Sequence, residues 1–234
     1  MKEDFNPWPC GHVPEKWQRP ECKLVKQKYN VDDMGIIDLF ERKIAKFAGS
    51  KYGVAVSSNT NGIFLALQYL KYTGKLRSAG VITIPSRTYM SVPMSIVNAG
   101  FKVQFEDMEW SGIYRLEPTN IIDGAGRFKK GMYVPDSLHV LSFQYKKRLP
   151  IGRGGMILTN DKDAYDWLIS ARFNGRSVDK DQWHDEFKIR GWNMYMTPDD
   201  AARGILIFDE LEDEYPDNQY YANYPDLSKQ KMFQ

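Results

Sequence analysis

Apolar residues along this chain switch repeatedly between a helical and a strand period. Asp32 or Asp33 can cap a helix in which Ile36, Leu39, Phe40, Ile44 and Phe47 recur at three- and four-residue spacing, ending at Ala48-Gly49. Tyr52 to Val56 is a short strand, and Asn59-Thr60-Asn61-Gly62 opens a helix with Ile63, Leu67 and Leu70 on one face, stopped by Gly74. Val81 to Ile84 is a strand closed by Pro85, Ser91 to Asn98 is a short helix, and Phe101 to Phe105 alternates as a strand. Three more apolar runs, Ile121-Ile122, Val140 to Phe143 and Met156 to Thr159, read as strands, followed by a helix over 161–173. Thr197-Pro198-Asp199-Asp200 then supplies a cap, a first-turn proline and acids at the positive end of a helix that runs to about Leu211.

Strands alternating with helices predict an α/β domain with a mainly parallel sheet. The regular pattern occupies 32–211. Residues 1–31, rich in Pro, Trp and Lys without a clear period, read as an irregular arm, and 212–234 as an acidic, then Tyr- and Asn-rich, extended tail. Ligands in such sheets bind beyond the carboxyl ends of the strands. Ser57, Pro85, Asp123 and Phe143 all sit there, so the candidate chemistry converges on one edge.

The 234 residues suffice for one good core, and 42% hydrophobic with 26% charged residues is ordinary for a globular chain. No apolar run approaches the ~20 residues that span a bilayer. The N-terminus lacks an apolar signal region, so a cytoplasmic location is expected, the host cytoplasm if the source is viral. A net charge of +2 gives no bulk attraction to polyanions. Cys10, His12 and Cys22 lack an evident fourth metal ligand, and the two cysteines read as reduced thiols.

Lys147 stands out. It follows Ser142-Phe143-Gln144-Tyr145 and precedes a glycine-rich turn, Gly152-Arg153-Gly154-Gly155. A lysine there can present an amine to an aldehyde cofactor, and Asp123, ending another apolar run, can pair with a pyridinium nitrogen. Together they are the minimum kit for pyridoxal phosphate (PLP). Each has a plainer alternative: a solvated lysine beside Lys146 and Arg148, and a loop or capping acid. Ser57 to Asn61 can cradle a phosphate at a helix N-terminus or simply cap it. Tyr89 in Pro85-Ser86-Arg87-Thr88-Tyr89 can stack on a flat ring or belong to the core. Ser142 can bind the same phosphate.

These residues resemble the DegT/DnrJ-type sugar aminotransferases, fold-type I PLP enzymes. Phe40-Glu41-Arg42-Lys43-Ile44-Ala45, Ser58-Asn59-Thr60, Pro85 to Tyr89, Ile122-Asp123-Gly124-Ala125 and Ser142 to Leu149 match family motifs in order. Downstream, Arg172-Phe173-Asn174-Gly175 and Gly191-Trp192-Asn193-Met194-Tyr195-Met196 continue the match, which covers roughly 36–211. The resemblance implies the large domain of that fold with most of the C-terminal small domain absent, and Lys147 rather than Lys146 as the Schiff-base lysine. It assigns Asp123 to the pyridinium, Tyr89 to ring stacking, and Ser58, Asn59, Thr60 and Ser142 to the cofactor phosphate. It further implies a homodimer in which Asn193 reaches the phosphate across the interface. The stretch between Phe105 and Asp123 is too short for the family's intervening helix, strand and helix.

Two catalytic readings follow, and one without catalysis. The first is a compact aminotransferase passing an amino group from glutamate to a keto sugar nucleotide. The second keeps the cofactor but turns the basic loops, with Arg87, Arg127, Lys129, Lys130, Lys146, Arg148 and Arg153, toward a nucleic acid: a decarboxylase or amine-modifying enzyme acting on a hypermodified base in bacteriophage DNA. Under the first, Arg87, Arg127 and Arg153 contact substrate phosphates. The third is an inactive PLP-fold binding protein, against which the intact Lys147–Asp123 pair argues.

Overall fold

The computed structural model describes residues 18–234 apart from 78, 179, 181–182 and 218–220. In chain order it contains α1 (Pro20–Tyr29), α2 (Asp33–Ala48), β1 (Tyr52–Val56), α3 (Asn59–Tyr72), β2 (Val81–Pro85), α4 (Ser91–Asn98) and β3 (Lys102–Glu106). β4 (Tyr114–Leu116), β5 (Ile121–Asp123), β6 (Leu138–Ser142), β7 (Gly155–Thr159), α5 (Lys162–Ala171) and α6 (Pro198–Phe208) follow. The caps read from sequence are in place: Asp32, Asp161 and Thr197 each accept a first-turn backbone N–H.

The main sheet has the order β1-β7-β6-β5-β4, and β2-β3 forms a separate parallel pair. Reciprocal N–H···O bonds between Thr83 and Glu117 (2.8 and 3.1 Å) join the two at the β4 side. Five of the seven strands run one way; β7 and β4 run against them. The reversal of β7 matters to the site, because β7 begins at the edge where the parallel strands end. β4 was not legible in the sequence. It occupies the shortened stretch before Asp123, and its three residues are too few to display a period.

Alternation along the strands sends neighbours to opposite faces. Val54, Val56, Val140 and Ile157 pack with α3, α4 and α5, whereas Ala55, Leu141, Met156 and Leu158 pack with α1, α2 and α6. The result is a three-layer sandwich whose central strands are buried on both sides, as the unbroken apolar runs of β6 and β7 require.

Two sequence expectations need correction. The arm is not irregular throughout: 20–29 is helical, with Pro20 opening the helix and Cys22 and Val25 buried. Only a narrow stripe faces inward among lysines, and Leu24 is exposed, so the period was faint. Cys10 and His12 lie outside the described residues. Cys22 donates to Asp199 (3.1 Å), and burial pushes its thiol up to about 12. The tail is not simply extended; it holds three short 3-10 turns, Tyr221–Asn223, Leu227–Lys229 and Lys231–Phe233. Among the described residues no helix is long and apolar enough to cross a membrane.

A buried ion pair ties the layers together. Arg172 at the end of α5 bonds Glu41 of α2 and the Ala55 carbonyl (2.6 Å), while the Ala55 N–H donates to Glu41 (2.7 Å). Two stretches matched separately in the sequence, around Glu41 and Arg172, are thus partners across β1. Removing one member strands a buried charge, so Glu41→Ala is expected to cost about 3–5 kcal/mol, read as a lowered denaturation midpoint. A loss below about 1 kcal/mol would contradict this role.

Candidate active site

The site is a cavity of about 580 Å³ beyond the carboxyl ends of β1, β2, β5 and β6. Of the residues singled out in the sequence, Ser58, Asn59, Thr60, Tyr89, Asp123, Ser142, Lys147 and Arg153 all line it. Arg87, Arg127 and Asn193 do not.

Asp123 ends β5 and is buried, 4% exposed. Its Oδ1 accepts from Asn59 Nδ2 (3.2 Å) and the Ala125 N–H (3.0 Å); its Oδ2 accepts from the Tyr114 hydroxyl (2.8 Å). No cation of the described residues forms an ion pair with it. A carboxylate in so apolar a place is costly unless such donors, and finally a positive charge, surround it. Tyr114 has one proton and gives it to Asp123, so the 2.7 Å contact with Thr88 makes Thr88 the donor to Tyr114. Burial and the charge of Asp123 hold the Tyr114 phenol well above its usual pKa, so it stays a donor.

Lys147 sits in the turn between β6 and β7. Leu149 and Ile151 are buried beneath it and fix the loop, and the Lys147 N–H closes a turn on the Gln144 carbonyl (2.8 Å). Burial pushes its ammonium pKa down, and Asp123 partly offsets this. Lys146, its neighbour, is exposed, with its ammonium 5.5 Å from the Tyr145 ring centroid. Both lysines line the cavity, and they differ in burial: Lys147 is half-buried and Lys146 exposed.

The glycine turn has a steric cause. A side chain on Gly155 would meet the Asn59 nitrogen and the Leu141 carbonyl at 2.6 and 2.7 Å, and Gly154 lies at φ +131°. Glycine at the start of β7 lets the first turn of α3 approach the sheet. In that turn the N–H groups of Asn59 and Thr60 have no acceptor within the helix, a geometry suited to an anion. Ser58 caps α3 by accepting the Asn61 N–H (3.1 Å), so the plainer reading of this serine is also true. The Thr60 hydroxyl donates to Ser91 (2.8 Å), which the sequence reading missed and which also lines the cavity.

Several assignments shift. The Asn59 side chain does not face a phosphate; it also donates to the Val140 carbonyl (3.2 Å) and serves to hold Asp123. Arg87 donates to the Tyr224 carbonyl (3.0 Å) and Arg127 to both oxygens of Asp217, so both are engaged within the chain and neither lines the cavity. Arg153 donates to the Ser57 carbonyl (3.2 Å) at the exposed side of the cavity. Tyr89 is 55% exposed, not a core tyrosine. Asn193 is exposed and bridges Phe173, outside this chain's cavity. Tyr114, Trp110, Asn223 and Tyr224 went unnoticed, since β4 and the tail carry no motif. Thr88 at least lay inside one.

An α/β sheet thus brings a desolvated lysine and a buried aspartate held by neutral donors into one cavity. The sequence profile of the DegT/DnrJ/EryC1/StrS aminotransferase family matches residues 21–121 and 130–225, and the chain belongs to that family. It is 35% identical over 86 residues to GDP-perosamine synthase of Escherichia coli O157:H7, covering 36% of this chain and 23% of that protein. It is 25% identical over 227 residues to the spore coat polysaccharide biosynthesis protein SpsC of Bacillus subtilis (strain 168), covering 76% of this chain and 57% of that protein. AtS13 from Actinomadura melliaura superposes with a TM-score of 0.69 at 19% identity, over 81% of this chain and 64% of that one. A GDP-4-keto-6-deoxymannose-3-dehydratase solved with a trapped PLP-glutamate geminal diamine gives 0.66 at 19% identity, over 85% of this chain and 67% of that one. These likenesses show the fold-type I architecture. The chain spans less than two thirds of the length of the curated relatives it matches.

The buried lysine yields a test on the cofactor-free protein. The ammonium pKa is lower in the folded than in the unfolded chain, so its destabilising contribution is full below the folded value and vanishes as pH rises to the ordinary 10.5. Lys147→Met is expected to raise the denaturation midpoint at neutral pH, with the gain shrinking as pH approaches that value. A gain independent of pH would contradict the burial. Tyr114→Phe leaves Asp123 and Thr88 each short of a partner and is expected to cost about 1–3 kcal/mol by urea unfolding; an unchanged midpoint would show the hydroxyl to be idle.

Proposed function

We propose that this chain is a PLP-dependent aminotransferase that moves an amino group, from glutamate, to a keto sugar nucleotide. The observation that carries the reading is the cavity shared by Lys147 and Asp123. The residues fit the cofactor. Asp123 is a buried acceptor ringed by neutral donors, lacking the cation that a protonated ring nitrogen would supply. Ser58, Thr60, Ser142 and the open turn of α3 suit a phosphate. Tyr89 offers a ring face, and about 580 Å³ holds a small cofactor with room for a substrate.

PLP, when bound, supplies an electron sink that stabilises negative charge at the substrate carbon. Asp123 keeps the ring nitrogen protonated. Lys147 holds the cofactor and, once its amine is free, takes and returns the proton at the reacting carbon. Its lowered pKa makes the neutral amine accessible nearer to neutral pH. Asn59 and Tyr114 hold the aspartate in register. Asn193 lies on the surface, and in this reading it serves the neighbouring subunit of a homodimer.

The nucleic-acid reading rested on an open cofactor site edged by unusually basic loops. Arg127 and Lys129 pair with Asp217, Lys130 pairs with Asp213, and Arg148 stacks on Tyr215. The charge of Arg127, Lys129 and Lys130 is thus met by carboxylates of the chain, and Lys146 and Arg153 are the residues of that basic set left at the cavity, which favours a small anionic substrate. Support for the sugar nucleotide comes from family membership together with relatives such as GDP-perosamine synthase.

Purified protein mixed with PLP is expected to develop a visible absorbance band that Lys147→Ala lacks. Glutamate is expected to shift the wild-type band to shorter wavelength, and a keto sugar nucleotide to restore it. Wild-type protein that binds no PLP would overturn the reading. A band that glutamate leaves unchanged would overturn its donor.

A further inference from the structure

Two described stretches of the C-terminal segment, 213–217 and 221–233, are anchored to the domain, and the second reaches the cavity. On one side Arg127 clamps Asp217 through three contacts of 2.5–3.1 Å, and the Lys130 N–H donates to the Asp213 carbonyl (2.9 Å). On the other, the Leu227 N–H donates to the Ser86 carbonyl (2.8 Å), Leu227 is buried, and Phe233 packs edge-on against Phe105 (5.3 Å). Between these anchors Asn223 and Tyr224 enter the cavity lining.

Tyr224 faces Trp110, from the shortened stretch before β4. Their rings are 15° from parallel with centroids 6.3 Å apart, and both line the cavity. Arg87 fixes both: its carbonyl accepts from Trp110 Nε1 (2.8 Å) and its guanidinium donates to the Tyr224 carbonyl (3.0 Å). Leu227 and Phe233 anchor the segment, and the Tyr224 ring also meets Tyr89 edge-on (6.4 Å). Two aromatic side chains held rigid at an open cavity lose little entropy when a third ring stacks on them. Arg153, at the exposed side of the same cavity, offers charge for a diphosphate.

We propose that Trp110 and Tyr224 form the specificity wall of this site and stack the flat base of the nucleotide-linked acceptor, with Arg87 as the residue that positions them. The inference rests on the proposed class of acceptor, and assigns its recognition to two segments outside the family's cofactor motifs.

The test is calorimetric titration of the PLP-loaded full chain with guanosine diphosphate, thymidine diphosphate and inorganic pyrophosphate. Base–aromatic stacking predicts that at least one nucleoside diphosphate binds about tenfold or more tightly than pyrophosphate. Tyr224→Ala is expected to abolish that advantage while leaving pyrophosphate affinity unchanged. Asp217→Asn, which loosens the segment without touching the cavity, should reduce the advantage in the same way. Equal binding of pyrophosphate and all diphosphates, or an advantage that survives both Tyr224→Ala and Trp110→Ala, would overturn the proposal. If the wild-type chain takes up no PLP, the aminotransferase reading fails separately, and the same titration of the unloaded chain still decides the wall.

Discussion

The structure is organised around a charge that its own side chains do not neutralise. Asp123 ends a central strand, is almost fully buried, and receives three hydrogen bonds from neutral donors. Each donor comes from a different element: Asn59 from α3, Tyr114 from β4 and the Ala125 N–H from the following loop. Thr88, after β2, supports Tyr114. Such a carboxylate persists only where donors are fixed and a cationic partner has room to enter. The close packing of α3 on the glycine start of β7, which brings Asn59 to Asp123, follows from the same need.

Most of the fold was legible because its elements carry strong periods and local signals. The helices capped by Asp32, Asp161 and Thr197 were readable from cap and periodicity together, and β6 and β7 from unbroken apolar runs. What escaped was structure fixed by tertiary contact. α1 shows only a narrow inward stripe among lysines. β4 is three residues long and exists because Tyr114 to Leu116 pair with Ile121 to Asp123. The tail gains its turns from contacts with Arg127, Ser86 and Phe105, distant in sequence.

The site divides in the same way. Lys147 and Asp123 were visible as functional types at strand ends, and Gly155 as part of a motif. Asn59 has a second task that was not legible, because sequence shows a polar residue at a helix start but not whether its side-chain amide turns outward or back toward the sheet, where it bonds Asp123. The partners of the arginines were hidden for a related reason. Arg87 and Arg127 read as free cations in basic loops, yet their partners, the Tyr224 carbonyl and Asp217, lie in a tail that periodicity left featureless. The acidic character of that tail was itself the signal, since acids at 213 and 217 complement the basic loop at 127–130.

The central claim is that Lys147, and not its neighbour, is the amine that holds the cofactor. Borohydride reduction of the PLP-treated protein, followed by peptide mass mapping, tests it most directly. The account predicts a pyridoxyl adduct on Lys147 with Lys146 unmodified. An adduct on Lys146, or label spread evenly over surface lysines, would contradict it.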